Sequence, residues 1–168
     1  MDAQISTDIL SDLITGISNT SGDAFFQLMT RHLALAISAD YTFIGRLNTD
    51  GNSIETIVVC QGTNIVDNIN YNLADTPCDN VLSEKTGYYP ENVRSLFPKD
   101  HLVQDMKIEG YIGTPVLDRQ KKKIGILVGL YKNAIPKKTC QYVQTLFELF
   151  SDRIASEIEN TDNVQALD

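Results

Sequence analysis

The sequence predicts one α+β domain built on an antiparallel sheet, and three observations support this. Its 168 residues are 42% hydrophobic and 21% charged, which is the composition of a single globular domain. Two pairs of segments rich in β-branched and aromatic residues are each joined by a short polar turn. Segments with helical apolar spacing precede the first pair and follow the second. Strands in the middle of a chain and helices at its ends are typical of the α+β class.

Two helices are predicted before the first strand. Thr7 or Asp8 can cap the first helix, and the sequence Asn19-Thr20-Ser21-Gly22 then interrupts it. The second helix is predicted from Asp23 to about Ala39, with an apolar surface that leaves only a narrow polar face. The apolar residues that recur at helical spacing in the first helix are Ile9, Leu10, Leu13, Ile14 and Ile17.

Two β-hairpins are predicted, one on each side of an irregular stretch. The first joins Tyr41–Leu47 to Ser53–Cys60 through a turn rich in Asn, Asp and Gly. The second joins Tyr111–Leu117 to Lys123–Tyr131 through a charged turn. Both connections are short, so each pair is expected to be antiparallel.

The last predicted strand contains Gly125 and Gly129. A glycine inside a strand usually marks a place where a helix or another backbone approaches closely. After this strand, Pro136 suits the first turn of a terminal helix that is predicted to run to about Asn160.

The long stretch between the hairpins, about Gly62 to Glu109, is rich in Asn, Asp and Pro. Long loops in a compact domain are commonly functional. We therefore expect a pocket beneath residues 76–106, bounded by the strands that carry Phe43 and Tyr111.

The domain boundaries follow from these elements. Residues 1–22 are assigned to the N-terminal helix and its connection, and residues 23–160 to the domain. Residues 161–168 are assigned to a C-terminal tail or a truncated linker.

Charge and cysteine content argue against several classes of function. Fourteen Lys and Arg against 22 Asp and Glu give a net charge of -8. Such a balance repels a phosphate backbone and argues against nucleic-acid binding. Cys60, Cys78 and Cys140 are widely spaced and only two histidines are present, so neither disulfides nor a metal site is expected. Without a signal sequence or an apolar run of ~18 residues, a cytoplasmic protein with no membrane insertion is expected.

Short motifs occur in an order that resembles a GAF domain. They are Tyr71-Asn72-Leu73, Thr76-Pro77-Cys78, Leu96-Phe97-Pro98 and Tyr111-Ile112-Gly113-Thr114-Pro115. Similar motifs occur in bacterial GAF sensor modules that precede histidine kinase or diguanylate cyclase domains. The resemblance covers about Asp23–Glu159. It implies a central antiparallel sheet of about five or six strands, with the first and last helices on one face and a loop-covered pocket on the other.

The resemblance implies a sensory or regulatory module of a signal-transduction protein, of the two-component or diguanylate cyclase kind. Such a module binds a small ligand or a partner and passes a conformational signal through its terminal helices. No enzyme activity is expected of this chain, although a longer parent protein could carry a kinase or cyclase domain. An apolar wall with a few polar groups suits a small-molecule site. The candidate pocket residues are Phe43, Cys78, Tyr88, Tyr89, Arg94, Phe97, Asp100 and Tyr111.

The sequence identifies no cofactor. Tetrapyrrole-binding relatives attach the pigment through a cysteine commonly followed by histidine, whereas Cys78 is followed by aspartate, so a covalent bilin is not expected. Cyclic-nucleotide-binding relatives carry an Asn-Lys pair and a later Phe followed after three residues by Asp-Glu. Here Asn133 is followed by alanine, and Ser-Asp stands at the corresponding positions after Phe147. The resemblance therefore gives no support for a cyclic nucleotide.

Two alternatives from other classes stay open. Cys78 follows Thr76-Pro77 at the expected start of a short helix, where the helix dipole lowers the pKa of a thiol. A thiol of that kind would suit a reductase of the free methionine sulfoxide type. The same cysteine also fits a small apolar residue packed under the loop. The second alternative is a dimerisation module that binds no ligand because its own side chains fill the pocket.

The terminal helix also predicts a parallel homodimer. Its apolar face spans roughly 180°, whereas a helix that covers a single sheet needs only about 100°. The surplus strip therefore predicts a second partner, which could be the first helix, a symmetry mate or both. If the first helix alone covers the strip, the protein is a monomer. The strip turns charged at Arg153 and Glu157, where the contact is expected to weaken. The candidate interface residues are Ile9, Leu13, Ile17, Tyr142, Leu146 and Leu149.

Overall fold

A computed structural model describes residues 20–83 and 87–167, with side chains as far as residue 161. The first helix and strands are α1 (Gly22–Ile37), β1 (Tyr41–Leu47), β2 (Ser53–Gln61), β3 (Asn64–Val66) and β4 (Asn70–Asn72). The middle of the chain forms α2 (Pro77–Leu82), β5 (Tyr88–Tyr89), α3 (Val93–Leu96) and α4 (His101–Asp105). The last elements are β6 (Gly110–Leu117), β7 (Lys123–Tyr131) and α5 (Lys137–Leu167). The helix predicted over Ile9–Ile17 lies outside the described residues.

The strands form one antiparallel sheet in the order β3-β2-β1-β7-β6-β5, and β4 pairs with the start of β2. Both predicted hairpins are present as β1–β2 and β6–β7. The two hairpins meet at the centre of the sheet, where β1 pairs with β7. The predicted α+β fold class is therefore confirmed. The sheet has seven strands among the described residues because β3, β4 and β5 are two- or three-residue strands within the stretch expected to be irregular.

The two faces of the sheet carry two separate apolar cores. On one face, α1 and α5 pack against strand residues that include Ile44, Ile112 and Leu127. On the other face, α2, α3 and α4 cover Phe43 and Tyr111. Phe43 directly precedes Ile44 in the sequence, and Tyr111 directly precedes Ile112. Successive side chains of a strand point to opposite faces, so adjacent residues enter different cores. The candidate functional site lies on the second face, which we call the loop face.

Both glycines of β7 stand where another group approaches closely, as predicted. A Cβ atom at Gly125 would lie 2.5 Å from the carbonyl oxygen of Gly45 on β1. One at Gly129 would lie 3.2 Å from Cδ1 of Ile37 at the end of α1. The first contact is with backbone and the second is with the end of a side chain, so the two sites differ in how far they can adjust.

The terminal helix differs from the prediction in length. It continues past Asn160 to Leu167, so its predicted end is wrong. No glycine or proline occurs between these two residues to stop it. Within the described ranges, no helix combines the length and apolar character needed to cross a bilayer.

The apolar strip of α5 has a partner that the sequence analysis did not consider. Helix α1 lies beside α5 on the same face of the sheet: the Tyr142 hydroxyl donates a hydrogen bond to the Ala36 carbonyl at 2.9 Å. Leu146 is buried in the helix-side core, whereas Leu149 is 63% exposed. Helix α1 therefore contacts Tyr142, and Leu146 lies in the helix-side core, while the assignment of these residues to a dimer interface stays a prediction. Ile9, Leu13 and Ile17 lie outside the described residues.

The charged end of the strip packs against the start of α1. Glu157 is buried and Arg153 is partly buried, and both contact the start of α1. An ion pair takes the place of apolar side chains at this contact between α1 and α5. The predicted weakening concerns the contact with the first helix or a symmetry mate and stays a prediction. A pattern of residue types on one helix does not reveal that two charged groups will bind each other and a neighbouring backbone.

Candidate functional site

Short capped helices hold the middle segment over the loop face. Thr76 caps α2: its side-chain oxygen lies 3.4 Å from the amide nitrogen of Asp79, and Pro77 occupies the first helical turn. Asp100 caps α4: its Oδ1 accepts the amide protons of Leu102 at 2.9 Å and Val103 at 3.2 Å. These caps satisfy amides that helices of five or six residues would otherwise leave unpaired.

A small polar cluster is enclosed by the apolar side chains of this face. The Tyr111 hydroxyl donates a hydrogen bond to Sγ of Cys78 at 3.0 Å, and the Tyr71 hydroxyl lies 3.1 Å from the same sulfur. Cys78 and Tyr111 are both buried. We call Tyr71, Cys78 and Tyr111 the thiol cluster. Burial raises the pKa of all three groups, and the nearby Asp100 carboxylate adds a smaller effect in the same direction.

Aromatic rings continue outward from both sides of the thiol cluster. Phe43 meets Tyr71 edge to face, with 6.2 Å between ring centroids. On the other side, Tyr89 contacts Tyr111 at 6.2 Å and Phe97 at 5.1 Å, again edge to face. Aromatic rings favour this arrangement because the positive edge of one ring meets the negative face of the other. The loop face is thus an aromatic wall that contains a few hydrogen-bonding groups.

Burial dominates the ionisation of the thiol cluster. Burial raises the pKa of Cys78 to about 11, and the hydrogen bonds from Tyr111 and Tyr71 offset this only in part. Burial likewise raises the pKa of Asp100, against the opposing effect of the Val103 and Leu102 amides. The expected lowering of the Cys78 pKa by a helix N-terminus is therefore wrong. Helix α2 has only six residues, and the free energy of desolvating a thiolate outweighs its dipole.

We expect the stability of the protein to fall with alkaline pH through Cys78. Its folded-state pKa is raised from 9.0 to about 11, so the native state holds the thiol proton more tightly than the unfolded chain does. This contribution, about 3 kcal/mol, is fully present below pH 9 and is lost as the pH rises through 11. Urea unfolding at intervals from pH 7 to about pH 11 measures it.

Cys78→Ser provides the comparison, because a serine hydroxyl does not titrate in this range. The variant should lose less stability than the wild type between pH 9 and pH 11. Cys78 also contributes to the raised pKa of Tyr71 and Tyr111, so the difference between the two proteins reports the thiol together with its effect on these two tyrosines. Cys140→Ser, on the opposite face of the sheet, removes a thiol whose pKa burial raises by less, so it should reduce the alkaline loss less than Cys78→Ser does. Parallel pH profiles for wild type and Cys78→Ser would contradict the assignment.

A cleft of about 360 Å³ opens on the outer side of the middle segment. It lies between α2 and the loop at Leu96–Lys99. Half-buried Phe97 lines it and also contacts Tyr89 on the inner side. Asn80, another lining residue, donates a hydrogen bond to the Tyr89 hydroxyl at 2.7 Å. The lining residues are Asp75, Thr76, Asp79, Asn80, Leu96, Phe97, Pro98 and Lys99.

The cleft is not where the pocket was expected. The sequence predicted a cavity between the middle segment and the sheet. That space is occupied by buried side chains of the loop-side core, among them Val81, Val103 and Ile108. Apolar residues that occur in short bursts along the chain meet in three dimensions and fill the space, and a linear pattern does not show this.

The structure brings together six of the eight candidate pocket residues. Phe43, Cys78 and Tyr111 are buried in the loop-side core, and Tyr89, Phe97 and Asp100 surround them. Their role as ligand contacts stays a prediction.

Tyr88 and Arg94 lie elsewhere, which corrects their assignment to the pocket. Tyr88 faces the helix side of the sheet, where it lines a hollow of about 380 Å³ with Ile135 and Gln141. Arg94 pairs with Glu109 at 3.4 Å on the surface. Tyr88 is on the opposite face because it alternates with Tyr89 along β5.

Two residues of the site were not among the candidates. Tyr71 lies on the three-residue strand β4, and Asn80 lies in α2. Tyr71 belongs to the motif Tyr71-Asn72-Leu73, and this motif is the sequence feature that could have identified it as a site residue. In the described part of the chain, no group of three or more His, Cys, Asp or Glu side chains is arranged to hold a metal ion.

Comparison with known proteins identifies the fold. No family model and no curated protein matches the sequence. Among solved structures, the GAF domain of an Acinetobacter phosphoenolpyruvate-protein phosphotransferase superposes with a TM-score of 0.69 at 17% identity, covering 95% of this chain and 96% of that one. The chain has the fold of a GAF domain. The equivalent domain from Coxiella burnetii gives a TM-score of 0.68 at 13% identity, with 99% of each chain covered.

The GAF fold is shared with domains that hold a pigment. A phycocyanobilin-bound GAF domain from a cyanobacterial phytochrome superposes with a TM-score of 0.64 at 14% identity, covering 94% of this chain and 96% of that chain. At this level of identity the comparison establishes the fold, which the sequence motifs predicted. Function rests on the site, because one fold supports many functions.

Proposed function

We propose that this GAF domain is a sensory or regulatory module that binds a small neutral molecule at the thiol cluster. The observation that supports this is the placement of two tyrosine hydroxyls on one buried sulfur inside an aromatic wall. A small-molecule site requires an apolar enclosure with a few directed polar groups, and the loop face contains both.

The hydrogen bonds between the tyrosine hydroxyls and the Cys78 sulfur can be exchanged for hydrogen bonds to a ligand, because sulfur is a weak hydrogen-bond partner. A carbonyl or amide oxygen accepts a phenol proton more strongly than a thiol sulfur does. A ligand that places such an oxygen between Tyr71 and Tyr111 would therefore replace a weak interaction with a stronger one. Burial raises the pKa of both Cys78 and Asp100, because this site disfavours negative charge. A neutral ligand is therefore less costly to transfer here from water than an anion.

The cleft beside Phe97 supplies the route of entry in this proposal. Phe97 separates the cleft from Tyr89, and Tyr89 contacts Tyr111. Movement of the Leu96–Lys99 loop would join the cleft to the thiol cluster without disturbing the sheet. A ligand shifts this equilibrium only through its difference in affinity for the closed and open arrangements.

The cellular setting that we propose follows the sequence motifs. The module would act in the cytoplasm of a bacterium, as part of a signal-transduction protein with a histidine kinase or diguanylate cyclase output domain. A signal would leave the domain through α1 and α5, which share one face of the sheet.

Native mass spectrometry of the purified protein, followed by thermal unfolding with the compound it identifies, tests the proposal. Tyr111→Phe should weaken binding about tenfold, because it removes one hydrogen bond to a buried ligand oxygen. Tyr131→Phe is the matched control: its hydroxyl donates to the Ile37 carbonyl at 2.8 Å on the helix side. The control should lose stability but keep the affinity. Equal affinity in wild type and Tyr111→Phe would contradict binding at the thiol cluster.

A second candidate function is a dimerisation module that binds no ligand. The filled space between the middle segment and the sheet favours it. So do Leu35 on α1 and Leu149 on α5, which are 54% and 63% exposed on helices that pack together. In this candidate function the two leucines belong to the surface that contacts a second copy. Sedimentation of Leu149→Glu, described in the Discussion, tests this candidate.

A further inference from the structure

The start of helix α1 is capped by a residue 135 positions away in the sequence. Ser21 stands at the N-cap position, but its side chain makes no capping hydrogen bond. Instead, Oε1 of Glu157 on α5 accepts the amide proton of Gly22. Glu157 is 4% exposed. Helix α1 therefore begins at a point that α5 determines.

Arg153, one turn earlier on α5, binds the same junction from a second side. Its Nη1 donates to Oε2 of Glu157 at 2.8 Å, and its Nη2 lies 3.5 Å from the carbonyl oxygen of Thr20. The guanidinium also stacks 4.2 Å from the ring centroid of Phe25. A planar group with several donors can make these contacts at once, which a lysine cannot do. The pair thus holds the peptide groups on both sides of Ser21.

The geometry of Gly22 fits a junction held in one orientation. Its φ is +62°, a conformation that favours glycine, and a Cβ there would meet nothing within 4 Å. Glycine is therefore needed at position 22 because of its backbone conformation, and not because a side chain would clash there. The turn aims the Gly22 amide at the buried carboxylate.

The Glu157 carboxylate is buried and its partner Arg153 partly so; removing such charges from water is costly, and simple packing does not explain the pair. Apolar residues of similar size are often as stabilising at such positions. Hydrogen bonds are directional, and those of this pair fix the Thr20 carbonyl and the Gly22 amide relative to α5. This favours a role in alignment over a role in general stability.

We propose that Arg153 and Glu157 form a clasp that couples the chain entering the domain at Thr20–Gly22 to the last turns of α5. A displacement of the entering chain then moves the C-terminal part of α5, and the reverse. Both are positioning residues. The clasp does not depend on ligand binding at the loop face, so its test and that of the proposed function can fail separately.

Distance measurement between two nitroxide labels tests the clasp. The labels are attached to cysteines introduced at the exposed positions Ser21 and Ser156; the native Cys60, Cys78 and Cys140 are buried. The labelled parent protein should give one narrow distance distribution. In Glu157→Ala the distribution should be at least about twice as broad, and amide exchange of Gly22 about tenfold faster, because the cap and the ion pair are both lost.

Two controls make the result specific. Glu159→Ala removes a half-buried carboxylate of α5, which accepts the Arg119 amide proton at 3.3 Å, and should leave the distribution narrow. A second label pair at the exposed positions Glu55 and Lys122, in the two hairpins, should be unchanged in every folded variant. If Glu157→Ala does not fold, Glu157→Gln with Arg153→Lys keeps the side-chain lengths and should still broaden the Ser21–Ser156 distribution.

The proposal is overturned if a folded Glu157 variant keeps the Ser21–Ser156 distribution as narrow as that of the parent. It is also overturned if Glu159→Ala broadens the distribution as much as Glu157→Ala does, because the effect would then belong to the helix and not to the clasp.

Discussion

Gly125→Ala is expected to lower the free energy of unfolding by about 3 kcal/mol, a large effect for one added methyl group. The new Cβ would lie 2.5 Å from the carbonyl oxygen of Gly45, which belongs to the β1 backbone. Since β1 and β7 are the central pair of the sheet, relief of the clash requires the two hairpins to separate. Urea unfolding followed by circular dichroism measures the change.

Gly129→Ala is the matched control on the same strand. Its Cβ would meet Cδ1 of Ile37 at 3.2 Å, and the end of an isoleucine can move by a few tenths of an ångström. We expect a loss of about 1 kcal/mol or less. Equal losses at the two positions would show that close approach of the β1 backbone does not determine the residue at 125.

Leu146→Glu is expected to destabilise the fold by about 4 kcal/mol, because it places an unpaired carboxylate in the helix-side core. Leu146 is 2% exposed between α5, α1 and the sheet. Leu149→Glu changes a residue that is 63% exposed, one turn further along the same helix, and should alter stability by no more than about 0.5 kcal/mol. Thermal and urea unfolding of the two variants separate the buried from the exposed part of the strip.

Leu149→Glu also tests dimerisation through the layer formed by α1 and α5. Leu149→Glu keeps the fold, so any loss of self-association in sedimentation belongs to the surface. We expect a dimer in the parent protein at high concentration and a monomer in this variant. A parent that is monomeric at every concentration, or a folded Leu149→Glu that still dimerises, would remove the exposed leucines from the interface.

The hairpins could be predicted from sequence because their strands are long enough to show a pattern. Tyr41–Leu47 and Lys123–Tyr131 begin and end where predicted, since β-branched residues, glycine and the flanking polar turns all point to the same boundaries. The short strands β3, β4 and β5 have two or three residues each, which is too few to establish a period. Tyr71, at the centre of β4, was missed for this reason.

The candidate site could be predicted only in part because its properties depend on enclosure. Position at a helix start is typical of a thiol with a lowered pKa, but burial of Cys78 reverses the direction of its pKa shift. Likewise, Glu157 has the sequence context of a surface residue and becomes buried only because α1 begins beside it. Local sequence shows which groups are present, whereas tertiary contacts decide whether they are charged, paired or accessible.

The alternation of β6 gives the domain a short mechanical path between its two faces. Tyr111 donates to Cys78 in the loop-side core, and its neighbour Ile112 packs in the helix-side core beneath α1 and α5. One peptide unit therefore joins the thiol cluster to the helical layer. Since protein cores are closely packed, we expect a rotation of Tyr111 to displace that peptide. In that case strand β6 carries a displacement from the Tyr111 ring on the loop face to the helix pair on the other face.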